Sequence, residues 1–274
     1  MNSFAFLFAI KSSGSLSYMI ITLFLLLSAT IAITGLNNAY AVKFFTSGEK
    51  PFGVSYDDWI SKYWNWDFSL NNKVFNSKGN ECLVNNSSSM VMLLNTISDS
   101  TLKQCNISSK QGIMIPMWIA WCDAGHNKMM LKNPNANGVQ LDQELTDCAR
   151  RVYNLGNIAS EVMVDGHRVA NLNVKLALDP VSGALNYNKN SMNNVTEFYS
   201  KGFTATIPPD SHQASQKPGT WRAGSQGWWV FLKPLPPGQH TIFYNIRVTP
   251  TGPLTSPGTS PHFADITYKL NVAK

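Results

Sequence analysis

The second half of the sequence alternates apolar and polar residues in short segments, which are separated by connections rich in proline, glycine and serine. In His240–Val248, Ile242, Tyr244 and Ile246 fall on one face, and His262–Val272 repeats the pattern. Alternation with a period of two is typical of strands that bury one face. Seven or more short strands joined by such connections indicate an antiparallel sandwich or a jelly roll.

Asp165-Gly166 predicts a type I′ hairpin, because both residues of that turn need a positive φ. The flanking strands are Glu161–Val164 and His167–Leu172. Pro116 predicts a bulge or an edge position in its strand, since proline cannot donate to the ladder. The other predicted strands are Met90–Leu94, Ile113–Trp121, Asn173–Leu178, Gly202–Ile207 and Gly227–Leu232.

Two helices are expected beside the strands. Ser55 can cap a helix over about 56–68, and the acids Asp57 and Asp58 then suit the positive end of its dipole. Apolar residues at helical spacing predict a second helix from Leu141 to Leu155. The predicted fold class is therefore all-β, a mainly antiparallel β-sandwich or jelly roll with two helical additions.

Residues 1–41 are predicted to be a secretory signal. They carry a single charge, Lys11, followed by the apolar run Met19–Thr34 and the small-residue motif Ala39-Tyr40-Ala41. An uncleaved anchor is the alternative, because Ser17–Leu36 is just long enough to span a bilayer. In either case residues 42–274 are expected to form one domain, secreted or held on the extracellular face of the envelope.

All four cysteines follow the predicted cleavage site, and an even count in an exported chain points to disulfides. Three pairings are open. Short loops favour the sequential one, Cys82 with Cys105 and Cys122 with Cys148.

The chain carries a formal net charge of +6, which is small for 274 residues. Its basic residues are scattered, and Arg150-Arg151 are the only adjacent arginines. No basic stripe with interleaved aromatic residues indicates a nucleic-acid groove. Nucleic acid is therefore not expected as a partner, and contact with a membrane is expected only through the N-terminal segment, if it is uncleaved.

Several motifs resemble a family of secreted bacterial and archaeal proteins with no assigned activity. They occur in matching order over nearly all of residues 42–274, and the resemblance implies one secreted, disulfide-bonded domain and transfers no chemistry. The motifs are Ser55-Tyr56-x-x-Trp59, Trp64-x-Trp66, the four cysteines, Leu145-x-x-Cys148-Ala149, Val164-Asp165-Gly166, Leu232-Lys233-Pro234-Leu235-Pro236-Pro237-Gly238-x-His240-Thr241-Ile242 and Asp265-Ile266-Thr267-Tyr268.

No catalytic motif stands out, and no cofactor or metal is expected. The spacing Cys122-x-x-x-His126-x-x-x-Met130 is similar to a blue-copper ligand loop, which also needs a second histidine and a free thiolate. No histidine precedes His126, and Cys122 is expected in a disulfide. Asp57, Asp58 and Asp67 are the acids that a polysaccharide hydrolase or lyase would use, in the manner of a carboxylate pair.

Tryptophan is the least ordinary feature, with eight residues in three groups. Neighbours on a strand face opposite sides, so Trp228 and Trp229 cannot enter the same core face. An exposed platform of such rings would suit stacking on sugars. The candidate binding residues are Trp59, Trp64, Trp66, Trp228 and Trp229.

The sequence therefore favours a non-catalytic exported or cell-surface module that binds polysaccharide or another envelope component. A polysaccharide-active hydrolase or lyase on a jelly-roll scaffold is the alternative.

Overall fold

Two β-sheets lie face to face in the computed structural model, which describes residues 41–71, 89–93, 101–152, 156–178, 185–213, 217–250 and 262–274. Cys82 lies outside these residues. The strands are β1 (Met90–Met92), β2 (Thr101–Ser108), β3 (Gly112–Asp123), β4 (Gly156–Val164), β5 (His167–Leu178), β6 (Leu185–Asn193), β7 (Thr196–Tyr199), β8 (Phe203–Ile207), β9 (Gly219–Leu232), β10 (Gly238–Pro250) and β11 (His262–Ala273). The α-helices are α1 (Tyr56–Ser69) and α2 (Gly138–Val152).

One sheet has five strands and the other has six. The five-stranded sheet runs β1-β3-β9-β7, and β8 also pairs with β9. The six-stranded sheet runs β2-β11-β10-β4-β5-β6. Among the described residues, all strand pairings are antiparallel except β1 with β3 and β2 with β11. The predicted fold class, a mainly antiparallel sandwich with two helical additions, is confirmed.

The centre of the five-stranded sheet is buried on both faces, and β9 shows why. Trp228 and Val230 pack in the cluster between the sheets, whereas Trp229 and Phe231 pack in a second cluster with residues of α1. Because adjacent strand residues face opposite sides, consecutive apolar residues fill two separate cores. The strands of the six-stranded sheet alternate between buried and solvent-facing residues. In β10, for example, Ile242, Tyr244 and Ile246 are buried.

Local signals place α1 and the hairpin where the sequence predicts them. The Ser55 side chain accepts a hydrogen bond from the Asp58 nitrogen at 3.2 Å and caps α1. Asp165 and Gly166 have φ of 51° and 79°, as a type I′ turn between β4 and β5 requires. The pairing of β3 with β9 shifts register between Pro116 and Trp118, which confirms the predicted bulge.

Two features of the strands differ from the prediction. Asn173–Leu178 is the end of β5 and not a separate strand. The alternation continues through this point, because Leu172 and Val174 are buried while Asn173 is exposed. The strands β2, β6 and β7 were not predicted, because their mostly polar sequences carry too few apolar residues to reveal a period of two.

Val42–Lys274 forms one compact unit, which contains both sheets, both α-helices and the hydrophobic clusters. In the part of the chain given above, no helix is long and apolar enough to cross a membrane.

Candidate functional site

Four of the five predicted binding tryptophans lie inside the protein. Trp59, Trp64 and Trp229 belong to the cluster under α1, and Trp228 lies between the sheets. Trp66 is half-buried at the edge of the α1 cluster. Buried rings offer no face to a sugar, so these five residues do not form the exposed platform that stacking requires. A binding role stays a prediction for Trp66 alone.

The aromatic cluster under α1 is held by ring contacts and by one buried hydroxyl. The Tyr63 and Trp229 rings meet edge to face at 5.0 Å between centroids. Trp64 Nε1 donates to Ser225 Oγ at 2.8 Å, and that hydroxyl donates to the Ala120 carbonyl at 2.8 Å. Trp229 Nε1 is buried without a partner among the described residues. These tryptophans dock α1 on the five-stranded sheet.

Asp67 lies apart from the other two candidate acids. Asp58 accepts a hydrogen bond from the Ser55 hydroxyl at 2.6 Å at the start of α1. Asp67 is buried near the other end, with Oδ2 3.1 Å from His212 Nε2. Nine residues of helix span about 14 Å along the axis, more than the roughly 5–9.5 Å between the carboxylates of a glycosidase.

Asp57 lies close to the segment before β8. Partial burial raises the pKa of its carboxyl, and the charge and backbone N–H of Lys201 oppose that shift. The Asp57 carboxylate therefore links the first turn of α1 to Lys201 in this segment.

The cysteine of the copper-like loop is not a thiolate. Cys122 is bonded to Cys148, which confirms that predicted pair. Cys105 is disulfide-bonded as well. Among the described residues, no three histidine, cysteine, aspartate or glutamate side chains lie close enough together to hold a metal ion.

A groove of about 660 Å³ runs along α2, and we call it the α2 groove. One wall is the helix and the other is the segment that joins β7 to β8. Its volume lies within the roughly 300–1,000 Å³ of sites for small ligands. The lining residues are Val139, Asp142, Gln143, Thr146, Asp147 and Arg150 on α2, with Tyr199, Ser200 and Lys201 opposite.

The floor of the α2 groove is tied to β9. The Thr146 hydroxyl lies 3.0 Å from the Ser200 carbonyl, which joins the two walls. The Ser200 nitrogen donates to the Ser225 carbonyl at 2.8 Å, and the Ser225 nitrogen donates to the Ser200 hydroxyl at 2.7 Å. A Cβ at Gly224 would lie 2.5 Å from the Thr146 nitrogen, so only glycine lets the helix approach β9 this closely.

An ion pair closes one end of the α2 groove. Arg222 donates to both carboxylate oxygens of Asp142, at 2.5 and 2.6 Å. The same carboxylate rests on Gly202, where φ is +88° and a Cβ would lie 2.4 Å from Asp142 Cγ. A bidentate pair of this kind fixes direction as well as distance. Asp142 therefore joins α2 to both β9 and the start of β8.

The open part of the α2 groove presents an aromatic ring among planar polar groups. The Arg150 guanidinium lies over one face of the half-buried Tyr199 ring, 5.1 Å from its centroid. The Tyr199 hydroxyl bonds the Glu197 carboxylate. Arg150 also lies 3.9 Å from Asp147, whose carboxylate accepts from Gln143 Nε2 at 3.2 Å. These groups offer both donors and acceptors to a polar ligand.

A second groove of about 620 Å³ crosses the outer face of β2, β11 and β10. Its polar lining includes Asn271, which donates to Asn106 at 3.1 Å. His240 also lines it, with Nδ1 2.7 Å from Asp165 and Nε2 3.0 Å from the Pro236 carbonyl. Among its described lining residues there is no tyrosine, phenylalanine or tryptophan, which distinguishes it from the α2 groove.

Sequence reasoning did not find the α2 groove. Arg150 was noted only as one of two adjacent arginines, and Tyr199 lies in a strand that was not predicted. The only available signal is indirect, because the expected bond between Cys122 and Cys148 predicts that α2 is held against the sheet.

Asp123, directly after Cys122, carries an unusual buried carboxyl. The residue has 0% exposure, and its Oδ1 accepts from the nitrogens of Gly125 and His126, each at 2.7 Å. Its Oδ2 has no partner among the described residues. Burial raises the pKa of this carboxyl above the ordinary 3.8, against the opposing effect of the two backbone N–H groups and of His126.

This shift predicts a pH dependence of stability. Because the folded chain holds the Asp123 proton to a higher pH than the unfolded chain, this contribution to the free energy of unfolding is fully present below pH 3.8 and falls as pH rises through the folded-state pKa. Asp123→Asn keeps an oxygen for the two N–H groups and removes the titration. Urea unfolding measures the free energy of unfolding from about pH 4 to 7. Over this range it should fall less in the variant than in the wild type, and the difference between the two slopes should be at most roughly 1.4 kcal/mol per pH unit. Parallel profiles for the two proteins would contradict this assignment.

Comparisons with known proteins identify no family for the chain, because neither a family model nor a curated protein matches it. Among solved structures, a mutant of CfaE, the CFA/I adhesin of enterotoxigenic E. coli, is similar over 44% of this chain and 37% of its own. The sequence identity is 15% and the TM-score is 0.17. A likeness at this level carries no argument about fold or function. The resemblance to a family of secreted proteins stays a prediction.

Proposed function

We propose that this chain is a non-catalytic, exported or cell-surface module that binds polysaccharide or another envelope glycan, and that the α2 groove holds the ligand. The observation that carries the proposal is the Tyr199 ring and the Arg150 guanidinium set among planar polar side chains. A sugar has apolar C–H faces and hydroxyl edges. An aromatic ring suits the faces, and amide, carboxylate and guanidinium groups suit the hydroxyls.

The balance of charge in the α2 groove supports an uncharged ligand. Two carboxylates, Asp142 and Asp147, line it together with two cations, Arg150 and Lys201. Arg222 pairs with Asp142, and the charge of Asp57 opposes that of Lys201, so acids and cations around the groove remain equal in number. A ligand of high charge would meet both attraction and repulsion here. A hydroxyl-rich chain can use donors and acceptors alike.

The partners of the candidate acids support binding over hydrolysis. Asp58 caps α1, Asp57 holds Lys201 and Asp67 pairs with His212, so each carboxylate has a structural partner. The disulfide between Cys122 and Cys148 supports export, because such bonds persist in oxidising compartments. A polysaccharide hydrolase or lyase is the alternative, and the experiment must distinguish it from a binding module.

The test incubates oxidised residues 42–274 with a panel of polysaccharides and cell-envelope extracts, and records both loss of protein from solution and release of soluble sugar. We expect loss of protein without release of sugar. Arg150→Ala and Tyr199→Ala should each weaken retention at least about tenfold, because truncated Tyr and Arg side chains are the commonest binding hot spots. Melting curves of both variants show whether the domain is intact.

Arg168→Ala is the matched control. Arg168 is on β5, its side chain is 66% exposed, and its ion pair with Glu161 is loose at 3.7 Å. It should retain wild-type binding. Release of sugar would overturn the non-catalytic proposal and direct attention to the acids of α1. Retention that is equal in Arg150→Ala, Tyr199→Ala and Arg168→Ala would remove the ligand from the α2 groove.

A further inference from the structure

A short turn after β3 exposes two methionines to water. Among the described residues, the exposed large apolar side chains are Phe52, Met129, Met130 and Val139. Met129 is 88% exposed and Met130 is 51% exposed, and they are adjacent in the 3-10 turn Lys128–Met130. Apolar side chains left together in water mark a surface that another body covers.

The turn is fixed at both ends, so the exposure of the methionines is built into the fold. Before it, the Asn127 nitrogen donates to the Asp123 carbonyl at 3.0 Å. Leu131 is buried in the cluster of Cys122, Leu145 and Cys148. The Lys132 nitrogen donates to the Glu144 carboxylate at 2.9 Å, which binds the turn to α2. Leu131 anchors the turn and leaves both methionines exposed, with the Met130 sulfur accepting from Asn127 Nδ2 at 3.4 Å.

The charge around the methionines is mainly positive, with the Glu144 carboxylate at the Lys132 nitrogen as the opposing charge. Lys128 and Lys132 flank them, and both residues are exposed. The sequence has no acidic residue from 124 to 141. The nearest carboxyl before this stretch, Asp123, is buried under its own turn. The surface is thus apolar at its centre and cationic at its rim.

We propose that Lys128–Lys132 is a docking surface for a membrane with anionic lipid headgroups. The two lysines would contact headgroup phosphates while Met129 and Met130 enter the acyl boundary. Flexible, polarisable methionines can fill irregular spaces, and lysines beside a membrane are attracted by its negative surface potential. This contact differs from the one predicted for the N-terminal apolar run, and it does not depend on the α2 groove.

The combination favours a membrane over a protein partner. A protein interface of ordinary size needs about 800 Å² on each side, with aromatic or arginine anchors at its centre. Five residues with two methionines and two lysines offer far less. A fluid bilayer needs only a small apolar insertion beside cations.

The test measures co-sedimentation of residues 42–274, the compact unit that lacks the N-terminal apolar run, with vesicles of phosphatidylcholine containing about one-third phosphatidylglycerol. Binding should weaken with added salt and be absent on pure phosphatidylcholine. Lys128→Gln/Lys132→Gln should weaken binding about 25-fold, at roughly fivefold for each lysine. Met129→Ser/Met130→Ser should weaken it at least roughly tenfold by removing the inserted apolar surface.

Lys43→Gln/Lys110→Gln is the matched control. Lys43 and Lys110 are exposed and lie near the start of β3. Lys110 precedes this strand, and Lys43 is next to Phe44, which pairs with Leu232, the partner of Ile113 in β3. A twelve-residue strand separates that end from Met129 by about 35–40 Å. Wild-type binding by this variant is expected. Three results would each overturn the proposal. They are no binding by the wild type, an equal loss of binding in the two lysine variants, and no loss of binding in the methionine variant.

Discussion

Replacing Trp229 by alanine is expected to lower the free energy of unfolding by about 3–5 kcal/mol, the range found when large aromatic residues are removed from cores. Trp229 is 0% exposed and lies in the cluster under α1, with the Tyr63 ring at 5.0 Å. The cavity would lie between α1 and the five-stranded sheet. Urea unfolding of residues 42–274 measures the loss as a lower midpoint.

Trp229→Phe should cost much less than alanine, because it keeps most of the apolar contact and removes an indole N–H that has no partner among the described residues. Trp66→Ala is the comparison within α1, since Trp66 is only half-buried and its loss should leave a smaller cavity. An alanine variant of Trp229 with wild-type stability and weakened glycan retention would contradict the structural role. It would restore Trp229 as a binding residue.

Elements with strong local signals could be predicted from the sequence. The cap at Ser55 and the Asp165-Gly166 turn depend on a few neighbouring residues, so α1 and the hairpin lie where they were expected. The edge strands β2 and β6 could not be found in this way. β2 pairs with β11 and β6 pairs with β5, so both strands depend on distant partners. Among the described side chains of β2, only Cys105 and Ile107 are buried, which leaves a weak apolar pattern.

The α2 groove was beyond sequence reasoning for a different physical reason. Thr146 and Ser200 are 54 residues apart and meet through one hydrogen bond, and Asp142 and Arg222 are 80 apart. No short window contains such a pair. Tryptophan content pointed instead to Trp228 and Trp229, because composition does not distinguish an aromatic ring that binds from one that fills a core.

The bond between Cys122 and Cys148 should hold α2 in place as well as stabilise the fold. The two cysteines are separated by 26 residues and are almost fully buried. Closing a loop of that length contributes about 3 kcal/mol. Cys122→Ala/Cys148→Ala is the suitable variant, because serine would leave hydroxyls buried at these positions. Its Tm should fall by roughly 6–12 °C, at about 2–4 °C for each kcal/mol in a domain of this size.

Hydrogen exchange on the same variant separates a local from a global effect. The disulfide joins α2 to the end of β3, so amides of α2 should lose protection while those of β10 and β4 keep it. Glycan retention should fall together with α2, because this helix forms one wall of the α2 groove. Uniform loss of protection would mean that the bond stabilises the whole sandwich and has no special role at the groove. Full retention with an unprotected α2 would place the ligand elsewhere, since a groove cannot keep its affinity after losing a wall.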